Sequence, residues 1–211
     1  MNTLIKIITL IIFQTAVTTI SSQSAYEKGM QKAFDLWETN QIEESINLFE
    51  RIANAEKNEW LPHYYVAYLN SSISWNEKDE AVLKAHLDKA QAHLDKAIAV
   101  SDNNAELKVM QAYLYTNWVA FDGMKYGMSL GPKISQLYQE ALAIDGNNPR
   151  VIFGKAEWDM GSAKFFGKDM TPYCKDIEKS IELFANFKPE TKFSPNWGAE
   201  RAEQVLQSCK S

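Results

Sequence analysis

The sequence predicts an all-α fold, a helical array of about four antiparallel helix pairs closed by a C-terminal capping helix. Three observations predict it: short segments that recur at nearly constant steps, a second series of helix centres marked by alanine, and prolines that fall between the helices. Ser45-Ile46-Asn47-Leu48-Phe49 returns as Ser180-Ile181-Glu182-Leu183-Phe184, an offset of 135 residues. Between them, Ala97-Ile98-Ala99-Val100 with Asn103-Asn104 returns as Ala141-Leu142-Ala143-Ile144 with Asn147-Asn148, an offset of 44. Three steps of about 45 residues therefore join four related helices. Internal repetition on this scale marks stacked supersecondary units.

Each recurring helix carries small or apolar residues at spacings of four and then three, which is one face of a helix. The faces are Ser45, Phe49 and Ile52; Ala90, Leu94 and Ala97; Ile134, Tyr138 and Ala141; and Ser180, Phe184 and Phe187. A first helix precedes each, centred on Ala33, Ala67, Ala112 and Ala156 and surrounded by apolar and aromatic residues. No stretch alternates with period two, so strands are not expected. Pro62, Pro132, Pro149, Pro172 and Pro195 all read as helix starts, where proline's missing N–H costs nothing. Thr171 and Ser194 stand before two of them as N-cap candidates, and Gly146 suits the left-handed residue that ends a helix. The segment from Pro195 to Lys210 reads as the capping helix (about 195–210), with Ala202, Val205, Leu206 and Cys209 on its inner stripe.

Ala90-x3-Leu94-x2-Ala97 followed by Asp102-Asn103-Asn104-Ala105-Glu106 resembles the second half of a tetratricopeptide repeat running into the next. Ala33, Ala67, Ala112 and Ala156 match the small residue of that family's first helix. The likeness covers roughly 25–187 and implies a TPR-like α-solenoid. It departs from the family in its spacing: the period of 34 residues holds only from Ala33 to Ala67. Later units carry extra residues, expected as extended inter-helix loops, at Ser71–Ala81, Phe121–Pro132 and Gly161–Pro172. The pattern is similar to exported TPR-like proteins of bacterial envelopes.

The N-terminus predicts export. Lys6 precedes a compact apolar run from Ile7 to Phe13, and polar and small residues follow through Ser24. That is the pattern of a cleavable signal peptide over 1–24, and the run is shorter than the roughly 20 apolar residues of a membrane span. The remainder, 25–211, reads as a single TPR-like domain with no membrane span, periplasmic or secreted. Without Lys6, 21 of the 22 basic residues face 27 acidic ones, a formal charge near −6. The charges are mixed along the chain, so nucleic acid and anionic lipid surfaces are not expected partners. Cys174 and Cys209 form an even pair in a chain bound for an oxidising compartment, compatible with one disulfide or with two separately buried thiols.

Motifs that suggest chemistry resolve into structural ones. Gly127-Met128-Ser129-Leu130-Gly131 matches the G-x-S-x-G elbow, but that motif needs a strand before it and a histidine after it. His63, His86 and His93 all precede Ser129. His86 and His93 are seven residues apart, about 10 Å along a helix, too far to share an ion at bond lengths near 2 Å. Leu83, Leu87, Ala90, Leu94 and Ala97 read as a buried seam with the histidines beside it. The reading is of a protein without catalytic constellation, metal site or cofactor.

The aromatic residues remain. Carrying the family's groove-facing positions onto this chain gives Met30, Phe34 and Trp37; Tyr64 and Tyr68; Val109 and Tyr113; and Arg150, Phe153 and Glu157. What the resemblance implies is an interaction scaffold that binds a protein or peptide through the concave face. Phe34, Trp37, Tyr64, Tyr68, Tyr113 and Phe153 would serve as contacts, and Arg150 would receive a carboxylate. The alternative is a small-ligand or glycan-binding protein that uses the same aromatic groove.

Overall fold

The computed structural model describes residues 25–209; the signal peptide expected over 1–24 lies outside the described residues. Nine helices and no strands occur among the described residues. The chain divides into two compact units, one ending at Asn58 and one beginning at Glu59. In the first, α1 runs over 25–38 and α2 is Ile42–Ala55. Asn40, at φ 61°, turns the chain between them. The two helices approach closely because small residues meet: Ser45 Oγ donates to the Ala33 carbonyl at 2.8 Å, and both residues are fully buried.

The second unit contains α3 (Trp60–Ile73), α4 (Glu80–Val100), α5 (Ala105–Phe121), α6 (Gly123–Ile144), α7 (Pro149–Phe165), α8 (Thr171–Asn186) and α9 (Ala199–Ser208). Helices α3 and α4, α5 and α6, and α7 and α8 pair in sequence, α5 lies beside both α3 and α7, and α9 packs on α8. This is a helical repeat array. Ala67, Ala112 and Ala156 are buried at its helix crossings, as are the faces Ala90, Leu94, Ala97 and Ile134, Tyr138, Ala141. In the last pair Ser180 is buried, but Phe184 and Phe187 are only half-buried. The alanine centres work as expected, because a methyl group lets two helix backbones approach where a larger side chain would hold them apart.

The repeated asparagine pairs have a local role. The second of each caps the next first helix: the Asn104 side chain accepts from Glu106 N–H and the Asn148 side chain from Arg150 N–H, each at 2.9 Å. Such caps satisfy N–H groups that the first turn leaves without helical partners.

Several local expectations are corrected. The extra residues mostly lengthen helices: α5 gives way to α6 across Asp122 alone, and α6 runs through Pro132. Packing along α5 outweighs the Gly-Pro punctuation, although Pro132 removes one main-chain donor from the helix. Pro195 precedes α9 by four residues and does not start it. Neither Thr171 nor Ser194 is a cap: Thr171 N–H donates to Asp169 Oδ1, and Ser194 Oγ accepts from Thr191 N–H. Gly146 is not left-handed, whereas Gly198 is, at φ +109°, and a Cβ there would stand 2.8 Å from the Phe184 ring. Cys174 and Cys209 form a disulfide with Cα atoms 6.0 Å apart, joining α8 to the end of α9. Closing that loop of 35 residues is worth about 3–4 kcal/mol in the chain-entropy treatment.

A buried ion pair ties α5 to α7. Arg150 Nε lies 2.9 Å from both Glu106 oxygens and Nη2 lies 2.6 Å from Oε1, while Asn148 Nδ2 donates to the same carboxylate. Removing one partner strands a buried charge, so Arg150→Ala should lose about 3–5 kcal/mol in denaturant unfolding. Replacing the pair together, Arg150→Met with Glu106→Leu, should recover most of that loss. Equal losses in the single and double variants would contradict the assignment.

Candidate functional site

The face of α3, α5 and α7 gathers the aromatic residues singled out in this unit. Tyr64 and Tyr68 stack with centroids 6.3 Å apart, Tyr68 on Tyr113 at 6.0 Å, and Tyr113 on Trp75 at 5.2 Å. Trp75 also lines a cavity of about 320 Å³ with Asn76, Glu77, Lys78 and Asn117. Phe34 and Trp37 belong to the first unit, where they stack on each other at 5.9 Å.

The face is occupied by the chain itself. After α8, residues 187–198 leave the helical pattern, cross to α3 and return beside Phe184, a compact loop whose ends lie close together. Tyr65 Oη donates to the Phe193 carbonyl, and Trp197 Nε1 donates to Tyr64 Oη, both at 2.7 Å. The Trp197 indole stacks on Tyr68 at 5.1 Å and leans on Tyr113 at 6.2 Å. At the other end, the Arg150 guanidinium lies 4.4 Å over the Phe187 ring. Tyr64 is consequently buried, while Tyr68 and Tyr113 retain partial exposure; Phe153 is buried by α8 and α9, in a cluster with Ile177, Ala202 and Val205 and edge-on to Phe184.

Arg150 is therefore not placed to receive a partner's carboxylate. Its side chain is fully buried and engaged with Glu106, a residue 44 positions earlier in the chain. Sequence reasoning also missed Phe193 and Trp197. The one signal was two large aromatics in a Pro/Ser/Asn segment with no helical period.

A second apolar site lies between α6 and α7. A Cβ on Gly123 would touch Phe165, one on Gly131 would touch Trp158, and one on Gly154 would press on Tyr138. Trp158 Nε1 also donates to Ser135 Oγ at 3.1 Å. These contacts set an antiparallel register that brings Gly127 level with Gly161. A Cβ on either of those glycines would meet nothing within 4 Å. The open space over these two glycines, on the stretch of α7 between Trp158 and Phe165, about 10 Å apart along the helix, is the candidate notch. On α6 and at the end of α7 lie the four most exposed large apolar residues among those described: Met128 at 91%, Met124 at 82%, Phe166 at 67% and Phe165 at 60%. Lys164 and Lys168, at and just after the end of α7, are exposed, and Lys168 Nζ lies 5.9 Å from the Phe166 ring. Ser129 is exposed on α6 and donates to the Tyr126 carbonyl at 3.1 Å.

Paired helices stacked in sequence define the chain as a TPR-like helical array. The comparison by structure finds the HusA haemophore from Porphyromonas gingivalis, at TM-score 0.77 and 22% identity, covering 88% of this chain and 92% of that one. It also finds a thermophilic TPR protein from Thermus thermophilus, at TM-score 0.42 and 13% identity, over 88% of this chain and 98% of that one. No protein-family profile and no curated protein matches the sequence.

Burial raises the Tyr64 phenol well above its ordinary value, raises Tyr113, and pushes Tyr68 from 10.0 to about 12. The neutral phenols are thus favoured by folding. The contribution of Tyr68 is complete below pH 10 and is lost as pH climbs through about 12. Absorbance titration at alkaline pH should show these tyrosines ionising late, and Trp197→Ala should bring Tyr68 back toward the ordinary range. An unchanged titration in that variant would show that the 187–198 segment does not cover the stack.

Proposed function

We propose that the chain is an exported, non-catalytic binding protein that carries a haem-like tetrapyrrole in the notch between α6 and α7. The observation that carries this reading is the open space at Gly127 and Gly161 together with the exposure of Met124, Met128, Phe165 and Phe166 on and beside the same two helices. Exposed apolar side chains scattered singly need no explanation, whereas a contiguous group of them marks a binding surface. A planar apolar ring suits a slot with flat aromatic walls. Lys164 and Lys168 supply cations for carboxylates at the ring edge, and the methionine thioethers are ligands that haem iron accepts. The fold likeness to a haemophore supports this choice of cargo over others.

A protein or peptide partner on the α3–α5–α7 face would have to displace residues 187–198, which the Cys174–Cys209 bridge holds from the far side. That competition places the interaction-scaffold reading second. A sugar stacking on Trp75 in the neighbouring cavity is the small-ligand counterpart.

Filling the notch separates binding from folding. Gly161→Leu and Gly127→Leu replace helical glycines where there is room, so each should stabilise the fold by about 0.5–1 kcal/mol. Each should also weaken haemin binding at least tenfold, read by absorbance titration in the Soret region. Trp75→Ala should leave it unchanged. Haemin affinity unaltered by both leucines, or abolished by Trp75→Ala, would refute the notch as the site.

A further inference from the structure

The His63 and His93 imidazoles meet across the α3–α4 pair. Their Nδ1 atoms are 3.0 Å apart and their ring centroids 5.1 Å apart. His63 is buried and His93 half-buried, so the pair lies at the margin of the core. His86, on the same helix as His93, is turned instead toward Asn70, with Nδ1 3.4 Å from Oδ1.

Two Nδ1 atoms can share one hydrogen only if the rings adopt opposite tautomers. When both rings carry their proton on Nε2 instead, two Nδ1 lone pairs face each other. With metal–nitrogen bonds of about 2.0–2.1 Å, nitrogens separated by 3.0 Å subtend about 94° at the ion. That is near the right angle between neighbouring ligands in a tetragonal site and well short of a tetrahedral angle. Square-planar or tetragonal nitrogen and oxygen coordination is characteristic of Cu(II) and Ni(II). From this geometry we infer that His63 and His93 form a two-imidazole site for a tetragonal divalent transition metal, copper above all, with water completing the coordination.

No group of three or more histidine, cysteine or carboxylate side chains that could hold a metal occurs among the described residues, so water would have to supply the remaining positions. Burial, and after it the Lys96 ammonium, lower the His63 pKa. Lys96 is itself exposed, and water screens its repulsion of a cation. The site is separate from the α6–α7 notch and does not depend on what that notch carries.

The test is calorimetric titration of tag-free protein with Cu(II), together with electron paramagnetic resonance of the loaded sample. One strong site per chain is expected, with hyperfine structure from two imidazole nitrogens. His63→Gln and His93→Gln should each weaken binding at least tenfold and remove that two-nitrogen signature, while His86→Gln should change neither. Circular dichroism would confirm that the variants are folded, and the spectrum of the wild type stands even if one is not. Copper binding that persists in the double variant, follows His86, or shows other than two imidazole nitrogens in the wild type would overturn the inference.

Discussion

The buried pair of Arg150 and Glu106 holds the first turns of α5 and α7 together, and the closed face of the array depends on it. Neither residue could be buried alone, since an unpaired charge in the interior costs several kcal/mol. Glu106 accepts from Arg150 and from the Asn148 side chain, and Asn148 in turn caps the helix that carries Arg150. A cap, a carboxylate and a guanidinium thereby fix two helix starts at one level. The flat outer face of the guanidinium is then covered by Phe187, the residue at which α8 ends. Residues 187–198 are thus launched across the aromatic face from a point that the ion pair sets.

What a TPR-like groove would offer a partner, this chain fills from within. Trp197 takes both contacts an incoming aromatic would make there, a hydrogen bond to Tyr64 and a stack on Tyr68. Gly198 lets the segment turn back at a backbone conformation and a clearance that a side chain would not tolerate. Beyond it, α9 buries Ala202 and Val205 and reaches Cys209, which the disulfide fixes to α8. The loop is anchored at both ends, so its place on the face is built into the fold. Among the described residues, the large apolar side chains most open to solvent in this unit, Met124, Met128, Phe165 and Phe166, lie on or beside α6 and α7.

The repeat architecture was legible because it is written in local periodicity. Ala67, Ala112 and Ala156 sit at helix crossings, and the asparagine pairs recur because Asn104 and Asn148 cap equivalent helices. The site was less legible, for physical reasons. Glycines 123, 127 and 131 with Pro132 read as a loop, because local propensity cannot register the long packing face that holds them in α6. The partners of Arg150, Tyr64 and Tyr65 are 44, 133 and 128 residues away, and no spacing rule reaches that far. His63 and His93 were overlooked for the same reason. Within one helix His93 has no histidine neighbour at ligand spacing, and the one it has belongs to α3.

The central claim is that the aromatic face is closed from within and that a ligand binds at the glycine notch. Amide NMR of the protein, titrated with a diamagnetic metalloporphyrin such as the gallium complex, tests it most directly. Shift changes concentrated at Met124, Gly127, Met128, Gly161 and Phe165, with Tyr68, Tyr113 and Trp197 undisturbed, are the result this account predicts. Perturbations centred on Tyr68, Tyr113 and the 187–198 segment, with α6 and α7 silent, would contradict it.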